Sequence, residues 1–241
     1  MYRRFLFDET SSTNDRARAY ASEGRVEPAV FIARQQSAGR GRMGHSFLSP
    51  TGGLYMSLLS RPTAKASLAV RLTIFAATVA ARVLEELTGE PVRIKWVNDL
   101  YMRGKKVGGI LTEGSCQADG TLAFAIVGIG INLAHVDFPE ELCDIATTVE
   151  DAAGVRLCAD EVADRIATAF FAADPFAEEI IDDYRRRCFV VGQRVTVLRA
   201  DTSYEALAIG ITDSGSLIVR LPSGLMEELS SGDVRVRPQK V

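Results

Sequence analysis

Four short segments carry residue types suited to chemistry on a charged small molecule. The first is Gly39-Arg40-Gly41-Arg42-Met43-Gly44. Its glycines let backbone N–H groups approach an anion, and each Arg offers a planar, permanently charged fork to phosphate or carboxylate. A solvated surface turn would use the same residues. Gly39, Gly41 and Gly44 have G-x-G-x-x-G spacing, but loop-forming residues follow where a dinucleotide fold needs a helix. A Rossmann assignment is therefore rejected. The second segment is Lys95-Trp96-Val97-Asn98-Asp99, which holds the only Trp of the chain. Asn98 could touch a ligand and Asp99 could hold a Mg²⁺; a plain Asn-Asp turn beside a core Trp accounts for the same residues. In the third, Lys106 heads a strand that continues through Gly108 and Gly109. It could face a ligand lying against that backbone, or be a charged turn residue. In the fourth, Gly128 and Gly130 alternate within an apolar strand ending at Asn132. Such glycines weaken a strand unless something packs closely on them, although a bulge is an equal alternative. Asn132 could hydrogen-bond a base or ribose.

These segments need a scaffold. Residues 10–21 read as a loop entering a short helix, with Ser11, Ser12, Thr13 and Asn14 as cap candidates and Gly24 as a stop. Residues 29–34 and 54–60 read as strands, and the glycine-rich 35–53 as a mobile loop. Apolar residues at helical spacing make 66–88 the clearest helix, ending at Gly89. Residues 92–96 read as a strand, 98–106 as a turn, and 107–113 and 122–133 as strands joined by an Asp119-Gly120 hairpin. Residues 158–173 and 175–188 read as helices broken at Asp174-Pro175. After Gly192, five short strands suggest a small, SH3-like barrel. The fold class is α+β: a mixed sheet packed with helices over residues 1–188, then the barrel over 189–241.

Composition narrows the chemistry. The 241 residues are 47% apolar and 24% charged, ordinary for a globular protein. The net charge of −3 argues against a dedicated nucleic-acid binder. Its distribution is uneven. Residues 34–45 hold three Arg and no acid, whereas 137–183 hold fourteen acids against Arg156 and Arg165. The longest apolar stretch, 68–87, is interrupted by Arg71, Arg82, Glu85 and Glu86, so no membrane span is expected. The four Cys are widely spaced, which argues against a zinc site or disulfide framework and for a reducing, cytoplasmic setting. They read as small buried hydrophobes. Only two His are present, His45 and His135, and both read as surface or loop residues.

Taken in order, SSTND (11–15), QQSAGRGRMG (35–44), SPTGGLYMSLL (49–59), KWVND (95–99), KKVGGILTE (105–113) and GIGINL (128–133) resemble the catalytic region of biotin–protein ligases. The resemblance implies a two-step reaction: biotin and ATP give biotinyl-5′-AMP, and a lysine of a biotin carboxyl carrier protein domain then takes the biotin. By matching position it implies Ser12, Thr13, Asn14 and Gln36 along biotin. Arg40, Gly41 and Arg42 would lie over the adenylate, and Lys106 would face the biotin carboxyl and α-phosphate. Trp96, Asn98, Asp99, Gly109 and Asn132 would lie on the nucleotide side. Lys106 and Arg42 are the implied catalytic cations, ATP and biotin the substrates, and Mg²⁺ the ion, with Asp99 its candidate ligand. A homodimer also fits the family.

The sequence departs from the family pattern at Val97, where a Pro is usual, and at Met43, His45 and Phe47. Because SSTND begins at residue 11, no N-terminal DNA-binding domain and no operator binding are expected; specific duplex binding in a gel shift would overturn this. Two other readings stand beside the ligase: a lipoate–protein ligase or octanoyltransferase, and a catalytically silent biotin- or nucleotide-binding protein.

Overall fold

A computed structural model describes residues 2–199 and 202–230, and the backbone strand at 235–238. The first sheet contains β1 (Arg3–Thr10), β2 (Ala29–Gln36), β3 (Leu54–Ser60), β4 (Arg93–Lys95), β5 (Asp99–Met102), β6 (Lys105–Cys116) and β7 (Leu122–Ile131). Its order is β1-β2-β3-β7-β6-β5-β4. Only β1 and β2 run parallel, so the sheet is mixed. The helices are α1 (Thr13–Ser22), α2 (Ala69–Thr88), α3 (Glu140–Cys143), α4 (Val149–Ala153), α5 (Ala159–Ala172) and α6 (Glu178–Arg187).

Strand alternation divides the core. Val30, Ile32, Leu54, Met56 and Leu58 join α2, α5 and α6 in the larger cluster. Phe31, Leu59 and Ile126 join Ala17 and Tyr20 of α1 in a smaller one. α2 is buried on nearly every side and stops at Gly89, whose φ of 72° forms a left-handed cap. By length and composition 66–88 is apolar enough to cross a membrane, contrary to the sequence expectation. Its apolar surface is instead spent inside the protein, where most of the stretch is buried.

Two strands escaped the sequence reading. β1 is an edge strand with mostly exposed side chains, so it lacks the apolar signature of its neighbours. β5 lies where a turn was expected. The turn is confined to Arg103 (φ 46°) and Gly104 (φ 81°), a two-residue hairpin with both residues left-handed. The cysteine expectation is also corrected: Cys188 is buried, but Cys116, Cys143 and Cys158 are exposed.

The last strands are β8 (Arg194–Leu198), β9 (Ser203–Ile211), β10 (Leu217–Arg220), β11 (Met226–Leu229) and β12 (Arg235–Pro238). They form a second, antiparallel sheet in the order β11-β10-β9-β8-β12.

His135 is exposed, as expected, but tied down. Its Nδ1 lies 2.9 Å from Asp151 Oδ1, and its Nε2 lies 3.6 Å from Asp137. The hydrogen bond to Asp151 raises its pKa above the ordinary 6.5. The pair therefore contributes stability that is complete below pH about 6.5 and lost as pH rises through the raised value. An NMR titration should place the His135 midpoint above 6.5, and Asp151→Asn should lower it. An unchanged midpoint in that variant would show that Asp151 is not the cause.

Candidate active site

The site lies on the α1 face of the first sheet. Cross-strand register aligns Asp99, Gly109, Gly130 and Tyr55 across β5, β6, β7 and β3. The next row of the same face aligns Leu111, Gly128 and Ser57. The glycines at period two in β7 thus leave a trough. An added Cβ at Gly128 would fall 2.4 Å from Asn14 Oδ1, and one at Gly130 would fall 2.6 Å from the Phe47 ring. Close packing, rather than a bulge, explains both.

The first turn of α1 forms one end. Ser12 occupies the N-cap position, but its side chain makes no cap hydrogen bond. Thr13 donates from its backbone N (2.8 Å) and Oγ1 (3.2 Å) to Gln36 Oε1, and Gln36 Nε2 donates to Ser49 Oγ (3.1 Å). Ser57 Oγ lies 2.7 Å from Thr13 Oγ1 and 2.6 Å from Asn14 Oδ1. Asn14 Nδ2 donates to Glu113 (2.7 Å). A fully buried Ser within apolar β3 is costly unless bonded, and this network satisfies it.

The Gly-Arg loop closes one side as a small hairpin. Arg40 bridges Ser46, Gly41 N donates to His45 O (2.7 Å), and Phe47 N donates to Gly39 O (2.9 Å). Arg40 grips Asp15 with both Nη atoms at 2.9 and 2.7 Å. That bidentate bond holds the Asp15 carboxyl below its ordinary value and raises the guanidinium. Arg42 Nη1 donates to Asn98 Oδ1 (3.3 Å).

The other end comes from β4 to β6. Lys106 Nζ pairs with Asp99 Oδ1 at 2.7 Å. The Lys106 backbone is held by the 145–147 segment, through Lys106 N to Ile145 O and Thr147 N to Lys106 O, both 2.9 Å. Asn98 Nδ2 donates to Ile110 O (3.0 Å). The Trp96 indole donates to Gly215 O (3.0 Å), and the Trp96–Val97 peptide is cis.

These groups surround a cavity of about 330 Å³. Ser12, Thr13, Asn14, Gln36, Arg40, Gly41, Arg42, Trp96, Asn98, Asp99, Lys106 and Gly109 all line it. Asn132 does not. Its Nδ2 donates to Thr147 O (3.2 Å), and its backbone joins Val107 to Val149. Sequence reasoning did not single out Lys95, Phe47, Met56, Ile110 and Leu111 as lining residues, nor the supporting Ser57 and Glu113. The one available signal was a polar Ser in the apolar run LYMSLLS. Among the described residues, Asp99 is the only carboxylate lining the cavity. Among the described residues, no group of three His, Cys, Asp or Glu could hold a metal ion.

Residues 6–132 match the biotin/lipoate A/B protein ligase family. The chain belongs to that family. Residues 190–237 match the biotin protein ligase C-terminal domain. Among family members, the bifunctional ligase/repressor BirA of Bacillus subtilis is 32% identical over 244 residues, covering 95% of this chain and 72% of its own. The biotin–[acetyl-CoA-carboxylase] ligase of Paracoccus denitrificans is 34% identical over 229 residues, covering 91% and 95%. The biotin protein ligase of Aquifex aeolicus, solved with biotin and ATP, superposes with a TM-score of 0.80 at 28% identity, covering 98% of this chain and 99% of that one.

Proposed function

We propose that the protein is an ATP-dependent biotin–protein ligase. It joins biotin to ATP as biotinyl-5′-AMP and transfers the biotin to a lysine of a biotin carboxyl carrier domain. The observation that carries this reading is one cavity lined by Arg40, Arg42 and Lys106, with the polar first turn of α1 at its other end, in a chain of this family.

In the first step a biotin carboxylate oxygen attacks the α-phosphorus. The α–β P–O bond breaks, and pyrophosphate leaves with the bonding electrons. Bringing a carboxylate to a triphosphate requires fixed positive charge aimed at the developing anion. Lys106, at the head of β6, and Arg42, in the loop, supply it. Thr13 and Gln36 are fixed by bonds to each other and Asn14 by bonds to Ser57 and Glu113, and they offer directed polar groups to the ring end of biotin. Trp96, Asn98, Asp99 and Gly109 serve the nucleotide end. Asn132 supports β7 and the following segment from outside the cavity.

A single carboxylate suits Mg²⁺, which keeps much of its water and binds phosphate oxygens. Asp99 would hold it, and it would withdraw charge from the phosphates. In the second step the lysine ε-amine attacks the anhydride carbonyl, AMP leaves, and the amine loses a proton. This step needs positioning and exclusion of water rather than a His base. The two units are 1–188 and 189–241, and the five short strands of the second support an SH3-like barrel.

An ATP–pyrophosphate exchange assay with biotin and lipoate side by side tests the reading. Exchange should require biotin; exchange with lipoate alone would favour the lipoate reading, and none with either would leave a silent binder. Arg42→Gly should release the adenylate roughly tenfold faster, the effect of one lost charge-assisted hydrogen bond. Unchanged release would mean that Arg42 does not retain it.

A further inference from the structure

Four charged side chains meet beside α1 at the edge of the cavity: Asp15 and Arg18 of α1, Glu113 of β6 and Arg40 of the Gly-Arg loop. Strand alternation puts Glu113 on the same face of β6 as Gly109 and Leu111, which line the cavity. Asp15 and Arg18 stand one turn apart on α1. Glu113 Oε1 pairs with Arg18 at 3.1 Å, and its Oε2 pairs with Arg40 at 3.5 Å. Asp15 takes both Nη atoms of the same Arg40, at 2.9 and 2.7 Å. Two carboxylates thus face two guanidiniums, and the charge of Arg40 is balanced locally. Lys106 and Arg42 lie with Asp99 and Asn98 at the other end of the cavity.

Arg40 stands in the loop hairpin, bridged to Ser46 and followed by the bond from Gly41 N to His45 O (2.7 Å). What holds its side chain therefore holds the loop. Two residues on, Arg42 bonds Asn98 (3.3 Å), so the loop is fastened to both ends of the cavity. Glu113 has a second task. The Oε2 that faces Arg40 also accepts from Asn14 Nδ2 at 2.7 Å, while Asn14 Oδ1 lies 2.6 Å from Ser57 Oγ. These two bonds fix which way round the Asn14 amide stands. Asn14 and Arg40 line the cavity; Asp15, Arg18 and Glu113 do not.

We infer that Asp15 and Glu113 are positioning residues: they anchor the Gly-Arg loop through Arg40, and Glu113 also sets the Asn14 amide at the ring end of biotin. One carboxylate oxygen thereby joins recognition of the ring to the loop that covers the adenylate. Arg40 fastens the loop and leaves charge stabilisation to Arg42 and Lys106. A guanidinium gripped bidentately within a network is the geometry in which a partly exposed ion pair has a measurable effect. The inference rests on the ligase reading for what occupies the cavity. The anchoring of the loop does not depend on it.

Three variants of the full chain separate the two roles. Asp15→Asn breaks the bidentate grip. Glu113→Gln removes the charge facing Arg40 but keeps an oxygen for Asn14 Nδ2. Glu113→Ala removes both. In ligand-free protein, trypsin should cut after Arg40 and Arg42 about fivefold faster in Asp15→Asn and in Glu113→Gln, the effect of losing one partly exposed ion pair. Both variants should release biotinyl-5′-AMP faster by a similar factor and bind biotin within about twofold of wild type. Glu113→Ala should also weaken biotin binding about tenfold, because the buried Asn14 amide loses its acceptor. Glu113→Gln should restore that affinity. Loop cleavage at the wild-type rate in both Asp15→Asn and Glu113→Gln would overturn the anchor, and wild-type biotin affinity in Glu113→Ala would overturn the role toward Asn14. Wild-type protein without biotin-dependent exchange would overturn the ligase reading; cleavage of the ligand-free variants would then still decide whether the two carboxylates hold the loop.

Discussion

Lys106→Ala is expected to lower biotin-dependent pyrophosphate exchange at least about tenfold, because removing one fixed donor at a developing anion commonly costs 10²–10³ in rate. The cation that screens the approaching carboxylate and phosphate is lost. Asp99, 2.7 Å from Lys106 Nζ and only 20% exposed, also loses its ion-pair partner, so the carboxylate assigned to Mg²⁺ is no longer held in place. Stability should change less than rate, since partly exposed ion pairs contribute about 0–1 kcal/mol. Near-normal exchange by Lys106→Ala would remove this residue from the chemistry.

The second large effect is expected at β7. Gly128→Ala should weaken biotin binding by tenfold or more, measured by calorimetry, and lower the melting temperature. The added Cβ would lie 2.4 Å from Asn14 Oδ1, and Asn14 is buried and already tied to Ser57 and Glu113. It cannot withdraw without breaking both bonds. Forcing a methyl into such a space costs about 1–3 kcal/mol, or roughly 2–4 °C per kcal/mol in a protein of this size. Gly130→Ala should destabilise less, because its clash is with the edge of the Phe47 ring, which can swing aside. Gly109→Ala should destabilise least, since its nearest neighbours would be 3.4–3.5 Å away, ordinary contact. A different order in thermal melts would show that close packing is not the reason for these glycines.

The structure bears on the sequence reading unevenly. The glycine alternation in β7 was legible as either a close approach or a bulge, because such glycines weaken a strand unless something packs on them; the structure decides for close approach. What approaches was not legible: Asn14 lies 114 positions before Gly128, and Phe47 comes from a loop. Asp99 could be suspected as a ligand from its neighbours. Its pairing with Lys106 depended on β5 being a strand, and those residues read as a turn. Ser12 is the N-cap residue, as expected, but its side chain makes no capping hydrogen bond, and the residue lines the cavity. Asn132 followed the motif into the nucleotide set, yet its amide is used to tie β7 to the segment before α4.

By itself the sequence determined the chemistry on offer: paired Arg in a glycine-rich loop, a Lys at a strand head, a lone Trp beside Asn-Asp, and no constellation of His or Cys. It also determined most local elements, β1 and β5 excepted, since propensity, periodicity and turn residues act over a few positions. Tertiary structure decided which of these residues share a space. Strand register sets that choice, and a slip of one residue would turn Gly128, Gly130 and Gly109 to the opposite face. The seating of the β9–β10 turn on α2 and α6 is likewise a contact between distant segments. Such contacts depend on the packing of whole faces, which no short window of sequence contains.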